Sequence, residues 1–519
     1  MSRPRVLTVL FSLLALLLLA CASIPSSQAT LRRAPDATAA VSEAMAGLPA
    51  AAPTLVPPND QAYQDMFFKS YGVNPFIDTE DDHLSTFSLD VDTGSYTIVR
   101  SYLQDGNLPP EEAVRVEEFV NYFPQDYDYP PEGQAFAIYV DGAAFPFAEN
   151  ERYRIMRIGI QGYAVPPEER KDVSLVFVID VSGSMDLENR LGLVKRALEL
   201  LVNQLRPTDS VGIVVYGSDA RVVLEPTSGE NRGAILEAIY ALRPEGVTNA
   251  EAGLQLGYQM ANRAFRPDAI NRVILCSDGV ANVGATGPAS ILKTIQGYAS
   301  EGITLTTVGF GMGNYNDVLM EQLADEGHGF YAYVDTLREA ERLFVENLTS
   351  TLQTIALNAK VQVDFSGEVV ARYRLVGFEN RAIADEEFRD DTVRAAAIGA
   401  GHSITALYEI KLHPNATGRI ATVYLRWEDP DSREVTEIDH EFSTEDMLDS
   451  FGEASPSFQL DVIVAEFAEI LRGSYWAQDS SLAGLLEEAV RVERYFGDYP
   501  DVAEFVDLVR RAEAISRSD

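Results

Sequence analysis

An apolar run passes directly into a short polar loop in residues 175–184, which read LVFVIDVSGS. Three more short apolar runs follow, with amphipathic segments between them, at residues 211–216, 273–277 and 303–310. Strands that are apolar along their whole length and alternate with helices indicate a parallel sheet covered on both faces. We therefore predict an α/β fold with a doubly wound, mostly parallel sheet. A hairpin-length connection predicts one antiparallel edge strand at 221–224.

Strand-like alternation also occurs on both sides of this unit. It is present at 136–140 and 152–163 before the unit, and in several segments between residues 360 and 442 after it. Antiparallel strands with an exposed edge are prone to aggregate, so we expect the two flanks to pair with each other. The prediction is a flanking β-sandwich into which the α/β unit is inserted.

Amphipathic periodicity predicts several helices outside the parallel strands. One long helix is expected from residue 337 to about 355, and another at 110–122, opened by two prolines. The predicted segments are a signal peptide at 1–20, a lipidated cysteine and disordered tether at 21–60, an acidic N-terminal extension at 61–133, strands of the flanking β-domain at 134–168, the α/β unit at 172–355, the sandwich continuation at 356–445 and a C-terminal helical region at 455–519.

The composition argues against whole classes of function. The chain has 519 residues, with 41 Lys and Arg against 79 Asp and Glu, which gives a net charge of −38. A chain this acidic repels phosphate, so no nucleic-acid partner is expected. Since Cys21 and Cys276 are its two cysteines, neither a disulfide framework nor a cysteine-based zinc site is expected.

The N-terminus is typical of a secretion signal. Arg3 and Arg5 precede an apolar run at 6–19, which is too short for a bilayer core that needs about 20 residues of helix. The end of the run, LLAC at 18–21, resembles a bacterial lipobox, in which cleavage precedes the cysteine and the cysteine is acylated. The resemblance implies a lipid anchor at Cys21 and a place in the cell envelope, outside the cytoplasm. Cys276 would then be unpaired, and its apolar context predicts a buried thiol.

Residues 60–150 supply a large share of the net negative charge. Residues 60–150 contain 18 Asp and Glu against three Lys and Arg. Stretches of like charge are usually solvated, so we expect an acidic surface here.

Polar side chains gather where three segments reach the same edge of the predicted sheet. Asp180, Ser182 and Ser184 follow the first strand, Thr248 precedes a helix, and Asp278 follows the strand at 272–275. Ligands of open parallel sheets bind beyond the carboxyl ends of the strands. Two carboxylates and three hydroxyls form an all-oxygen set, which selects Mg²⁺, Ca²⁺ or Mn²⁺ over zinc or copper.

Each of these pieces also has a structural explanation. Asp278 with Gly279 fits a simple turn, and the serines could bond loop amides. Thr248 with Glu251 fits a helix capping box. Their joint occurrence, in this order and at the ends of these strands, favours one common site.

The pattern Asp180-x-Ser182-x-Ser184, with Thr248 and Asp278, resembles the metal-ion-dependent adhesion site of a von Willebrand factor type A domain. The resemblance covers about residues 172–355. It implies that the three hydroxyls contact a divalent cation, Mg²⁺ first with Mn²⁺ or Ca²⁺ as alternatives. The two carboxylates would hold the cation largely through water and hydrogen bonds. Segments 84–93, 116–123 and 461–474 resemble the extensions of bacterial von Willebrand A lipoproteins.

The resemblance implies a binding protein rather than an enzyme. A hydroxyl-rich shell leaves the cation incompletely neutralised, so an open position attracts an Asp or Glu carboxylate from a protein partner. One alternative is a Mg²⁺-dependent hydrolase or phosphatase at Asp180, although dehalogenase-type enzymes need a second Asp where Ser182 stands. Another is a structural envelope protein with a non-functional metal site. Asp-Thr-Gly-Ser at 92–95 matches half of an aspartic protease site, but its second copy is missing, which favours turn and cap roles for Asp90 and Asp92.

Overall fold

The computed structural model describes residues 66–148, 150–246, 248–279, 288–311, 315–497 and 499–517. The predictions of a signal peptide, a lipidated Cys21 and a tether concern residues outside this set. Within the set, no helix combines the length and the apolar character that crossing a membrane requires.

The N-terminal extension contributes strands as well as helices. Its elements are β1 (Ile77–Asp78), β2 (Leu84–Ser88), α1 (Gly94–Gln104) and α2 (Val116–Val120), and they precede the antiparallel pair β3 (Phe136–Ala144) and β4 (Tyr153–Gly162). The prediction of one helix at 110–122 is wrong, because a separate 3-10 turn at Glu111–Ala113 precedes α2. Between the two, the Arg115 N–H donates to Ser95 Oγ at 2.9 Å and so makes no helical bond.

A six-stranded sheet forms the centre of the α/β unit. Its strands are β5 (Val173–Asp180), β6 (Ser210–Tyr216), β7 (Ala220–Ser228), β8 (Ile270–Ser277), β9 (Ile303–Phe310) and β10 (Tyr331–Val334). Their order is β10-β9-β8-β5-β6-β7, and every neighbouring pair is parallel except β6 with β7. The predicted doubly wound sheet with one antiparallel edge strand is confirmed.

Helices cover both faces of this sheet. They are α3 (Arg190–Asn203), α4 (Arg232–Ala241), α5 (Ala250–Arg263), α6 (Pro288–Ser300), α7 (Asp317–Glu326), α8 (Leu337–Glu341) and α9 (Leu348–Leu352). Successive residues of β5 enter opposite cores, with Phe177 and Ile179 in the core that includes α3 and Val176 and Val178 in the core that includes α5. A strand buried on both faces has no polar side, which is why its sequence is apolar throughout.

The prediction of one long helix from 337 to about 355 is wrong. A π-helical stretch at Arg342–Glu346 separates α8 from α9. There the Asn347 N–H donates to the Arg342 carbonyl at 2.9 Å, five residues back, as π-helical geometry requires. The Arg342 side chain bonds Glu339 at 3.0 Å and Thr93 at 3.2 Å. Thr93 belongs to the N-terminal extension, which is distant in sequence. The helical periodicity of residues 337–355 therefore cannot predict this contact.

Both flanks of the α/β unit meet in a β-sandwich. Its later strands are β11 (Thr354–Phe365), β12 (Val370–Val376), β13 (Ala396–Gly399), β14 (Ser403–Leu412), β15 (Arg419–Glu428) and β16 (Val435–Ser443). One sheet has the order β1-β12-β14-β4-β3, and the other has the order β13-β11-β15-β16 with β2 also paired to β11. β4 pairs with β14 from Tyr153 opposite Lys411 to Gln161 opposite Ser403. The predicted pairing of the two flanks is confirmed.

The C-terminal helices pack against the extension and the sandwich together. They are α10 (Pro456–Leu471), α11 (Leu482–Glu493) and α12 (Pro500–Ser516). Their apolar residues share one core with α1 and α2 and with the sandwich residues Ile155 and Leu407. Asp461 of α10 is buried and pairs with Arg157 of β4 at 2.9 Å. The predicted C-terminal helical region is confirmed.

Part of the acidic extension is buried, so the expectation of a solvated surface is wrong there. Asp90 and Asp92 are 2% and 3% exposed. Both pair with Arg381, which follows β12, at 3.0 and 3.2 Å. Arg381 also pairs with Glu321 and Asp325 of α7 at 2.8 and 2.7 Å. These five residues, the Arg381 cluster, tie the extension, the sandwich and the α/β unit together.

Glu117 of α2 is another buried carboxylate of the extension. Its Oε2 accepts a hydrogen bond from the Phe378 N–H at 2.9 Å. Burial, followed by repulsion from Glu379, raises the pKa of Glu117 from 4.5 to about 7. Between these two values the folded state holds a proton on Glu117 that the unfolded state releases.

We expect Glu117→Gln to change how stability depends on pH. Because the folded pKa is raised, the contribution of Glu117 to stability is fully present below 4.5 and is lost as pH rises through about 7. From about pH 5 to about pH 8, the free energy of unfolding of the wild type should fall by roughly 2–3 kcal/mol relative to that of the variant. Urea unfolding at several pH values measures the difference.

Glu112→Gln is the matched control, because Glu112 lies on the same segment and is exposed. Its stability should follow the wild type at every pH. If the wild type and Glu117→Gln kept a constant difference in stability across this range, the assignment of a proton to buried Glu117 would be contradicted.

Candidate metal centre

Asp180 ends β5 at the carboxyl edge of the sheet and is fully buried. Its Oδ1 accepts a hydrogen bond from the Ser182 N–H at 2.8 Å, a local bond that turns the loop back over the end of the strand. The hydroxyl oxygens of Ser182 and Ser184 then lie 3.0 Å apart. The structure thus brings these three predicted site residues together.

Asp278 reaches the same edge because β8 pairs in parallel with β5, with Cys276 opposite Ile179. Ser277, next to Asp278, donates from its hydroxyl to Asp180 Oδ2 at 3.2 Å. Burial, followed by the charge of Asp278, raises the pKa of Asp180 from 3.8 to about 7. This shift agrees with the repulsion expected between two neighbouring carboxylates without a cation.

The loop before Thr248 lies against the loop that carries the two serines. The Gly183 N–H donates to the Gly246 carbonyl at 3.2 Å. Gly246 has φ +75°, and a Cβ there would come within 2.6 Å of the Ser218 nitrogen, so this position requires glycine. Thr248 follows two residues later and is partly buried. The contact places the Thr248 loop beside the other candidate ligands.

The structural alternative for Thr248, that it caps the next helix, is wrong. The N-cap of α5 is Asn249, whose side chain accepts a hydrogen bond from the Ala252 N–H at 3.2 Å. Asn and Thr are both good N-cap residues, so the sequence alone does not decide whether Thr248 or Asn249 caps the helix. The helix therefore does not account for the hydroxyl of Thr248.

Arg190 belongs to the site, although no sequence motif predicts its presence there. It opens α3, is buried, and its Nη1 lies 2.9 Å from Asp278 Oδ2. A Cβ at Gly311 would overlap the Arg190 side chain, so a glycine there leaves room for the guanidinium. The ion pair offsets the charge of Asp278 and fixes its carboxylate. The two residues are 88 positions apart, and no local pattern connects them.

The oxygen donors at this edge fit a hard divalent cation. Two hydroxyls lie 3.0 Å apart beside a buried carboxylate, so neutral and charged oxygens are available to one ion. Mg²⁺ commonly uses one or two carboxylates and keeps several waters. A cation here would also relieve the repulsion that contributes to the raised pKa of Asp180. Over the described ranges, no three His, Cys, Asp or Glu side chains group as metal ligands.

Two other predicted features have structural roles. Cys276 is a free, buried thiol whose pKa is raised to about 12 by burial, which confirms the prediction. In the Asp-Thr-Gly-Ser motif, Asp92 Oδ1 accepts from the Tyr331 N–H at 2.9 Å, while Oδ2 pairs with Arg381 at 3.2 Å. These contacts occupy both oxygens of Asp92 and favour a structural role over a protease site.

Comparison with protein families agrees with this architecture. Residues 174–347 match the von Willebrand factor type A domain. Residues 62–156 match a family described as von Willebrand factor, and residues 350–418 and 412–515 match the C-terminal family of Uncharacterized protein YfbK. The chain is thus a von Willebrand factor type A domain protein with an N-terminal and a C-terminal extension.

Comparison with individual proteins identifies the family of the chain. The chain is 35% identical over 477 residues to Uncharacterized protein YfbK of Escherichia coli strain K12, covering 86% of this chain and 81% of that protein. It therefore belongs to the YfbK family. It is also 30% identical over 178 residues to human inter-alpha-trypsin inhibitor heavy chain H3, covering 33% of this chain and 19% of that one. A solved von Willebrand factor type A protein from Catenulispora acidiphila aligns with a TM-score of 0.43 and 18% identity, over 72% of this chain and 89% of that chain.

We expect Mg²⁺ or Mn²⁺ to raise the melting temperature of the chain. An ion that binds only the folded state stabilises it by about 2.7 kcal/mol at a hundredfold excess over its dissociation constant. Ser182→Ala and Ser184→Ala each remove one proposed ligand oxygen and should abolish the rise. Thermal unfolding with MgCl₂ and with EDTA measures it.

Ser300→Ala removes an exposed hydroxyl at the end of α6 and serves as the control, since its melting temperature should still rise with the ion. A full Mg²⁺-dependent rise in Ser182→Ala would show that the ion binds elsewhere.

Proposed function

We propose that this chain is a lipid-anchored envelope protein, facing outside the cytoplasm, that binds a protein partner through a divalent cation. The observation that carries the proposal is the pair of hydroxyls, Ser182 and Ser184, held 3.0 Å apart beside buried Asp180. Neutral oxygens leave much of the charge of the cation uncompensated. An Asp or Glu carboxylate of the partner is then the favoured ligand for an open coordination position.

The residues of the site would bind the cation in two ways. Ser182, Ser184 and Thr248 would contact the cation through their hydroxyls, while Asp180 and Asp278 would hold it largely through water and hydrogen bonds. Mg²⁺ is our first choice, with Mn²⁺ and Ca²⁺ as alternatives, because all three prefer oxygen. Arg190 lowers the negative charge around the ion by pairing with Asp278. Its charge therefore favours an acidic group from the partner.

A Mg²⁺-dependent hydrolase or phosphatase at Asp180 is less well supported. Dehalogenase-type transfer needs a second Asp two residues after the first, and this position is Ser182, whose hydroxyl lies beside that of Ser184. Phosphate release that is lost in Asp180→Asn would reverse our preference. A structural envelope protein with a non-functional site is the other alternative, and it requires a melting temperature that Mg²⁺ does not change.

Capture of the partner should depend on the metal. We expect crosslinking on intact cells followed by a pull-down to recover the partner with Mg²⁺ and to lose it with EDTA. Thr248→Ala should weaken capture more than it weakens folding, because Asn249 and not Thr248 caps α5.

Asn249→Ala is the matched control for this experiment. It should lower the free energy of unfolding by roughly 0.5–2 kcal/mol, the usual effect of losing a cap, and keep capture sensitive to EDTA. Capture that persists in EDTA and in Ser182→Ala would contradict a metal-bridged partner.

The lipid anchor has its own test. Cys21→Ser should release the protein into the soluble fraction, because acyl chains contribute ~0.8 kcal/mol per buried CH₂ and the serine would not be acylated by this route. Cell fractionation followed by a high-salt wash measures the distribution. Cys276→Ser, which alters the buried cysteine, should remain in the membrane fraction. Retention of Cys21→Ser after the wash would contradict the anchor.

A further inference from the structure

The first described residues lie close to the metal centre. The Phe67 N–H donates to the Tyr315 carbonyl at 2.8 Å, and Phe67 forms a parallel β-bridge with Asn316. Met66 is buried, and its sulfur accepts a hydrogen bond from the Tyr102 hydroxyl at 3.1 Å. Phe67 therefore binds the two residues that precede α7, while Met66 attaches the segment to α1. We call Met66 and Phe67 the N-terminal clip.

Hydrogen bonds lead from this segment to Asp180. The Asn316 N–H donates to the Gly279 carbonyl at 3.2 Å. The Gly279 N–H donates to Ser277 Oγ at 3.1 Å, and the Ser277 hydroxyl in turn donates to Asp180 Oδ2 at 3.2 Å. The series begins next to the clip and ends on the carboxylate of Asp180, where the candidate metal loop, residues 180–184, begins.

Close packing adds to this connection. Gly279 has φ +81°, and a Cβ there would overlap the Tyr315 ring. The Tyr315 hydroxyl donates to the Tyr331 hydroxyl at 2.8 Å, which donates to Asp317 Oδ1 at 2.8 Å. Because interiors are close-packed, a displacement of Tyr315 is transmitted to Gly279. The clip bonds the backbone of this same tyrosine.

We propose that the N-terminal clip positions the metal centre, so that its release from Tyr315 and Asn316 lowers the affinity for the divalent cation. The inference rests on the proposed function, since it concerns the same site. Met66 and Phe67 act through Gly279 and Ser277, which keep the Asp180 carboxylate in place.

The test removes a single backbone donor. Phe67→Pro eliminates the N–H that bonds Tyr315, whereas Phe67→Ala keeps it. The Phe67 side chain is 56% exposed, so its truncation removes little packing. In calorimetric titrations of the full chain in detergent with MgCl₂, the dissociation constant of Phe67→Pro should be about 3- to 10-fold above wild type, as expected for one lost hydrogen bond. That of Phe67→Ala should equal the wild-type value.

Hydrogen exchange without metal distinguishes positioning from general destabilisation. The amides of Gly279 and Asn316 should exchange faster in Phe67→Pro, while those of β15 in the sandwich should be unchanged. If Phe67→Pro binds Mg²⁺ as wild type does and Ser182→Ala has lost binding, the proposed role of the clip is contradicted, while the proposed function is still supported. A wild-type chain that binds no divalent cation overturns both.

Discussion

The relative placement of the extension, the sandwich and the α/β unit depends on the ion pairs made by the Arg381 guanidinium. It pairs with Asp90 and Asp92 of the extension and with Glu321 and Asp325 of α7, at 2.7–3.2 Å. Burial and then the charge of Asp90 raise the pKa of Asp92 well above its usual value. Breaking a buried ion pair by removing one partner is typically destabilising by about 3–5 kcal/mol, which makes Arg381 hard to replace.

Helix α7 connects this cluster to the candidate metal centre. Its first residue, Asp317, pairs with Arg115 of the extension at 2.5 Å, and its later residues pair with Arg381. The segment just before α7 carries Tyr315 and Asn316, and Asn316 bonds Gly279 next to Asp278. The extension therefore supports the edge of the sheet at which the cation would bind. In this chain the candidate metal loop is part of a larger ionic and hydrogen-bonded assembly, not a feature of the α/β unit alone.

The sequence predicted those features that depend on neighbours along the chain. The apolar strand and the spacing of Asp180, Ser182 and Ser184 are local features. They are enough to predict the parallel sheet and to identify the loop after its first strand as a candidate metal site. Arg190 could not be predicted, because its partner lies 88 residues away. The burial of Asp90 could not be predicted either, because its partner Arg381 is 291 residues away. The π-helical stretch at Arg342–Glu346 likewise has a partner distant in sequence, because the Arg342 side chain bonds Thr93.

The central claim is that one divalent cation binds at the hydroxyl pair that follows β5. Anomalous diffraction from crystals grown with MnCl₂ tests it most directly, because Mn²⁺ suits the same oxygen ligands and scatters anomalously. We predict one strong peak coordinated by the hydroxyls of Ser182 and Ser184, with Asp180 and Asp278 linked to it largely through water. A peak bound elsewhere on the chain, with no density beside these two serines, would contradict the claim.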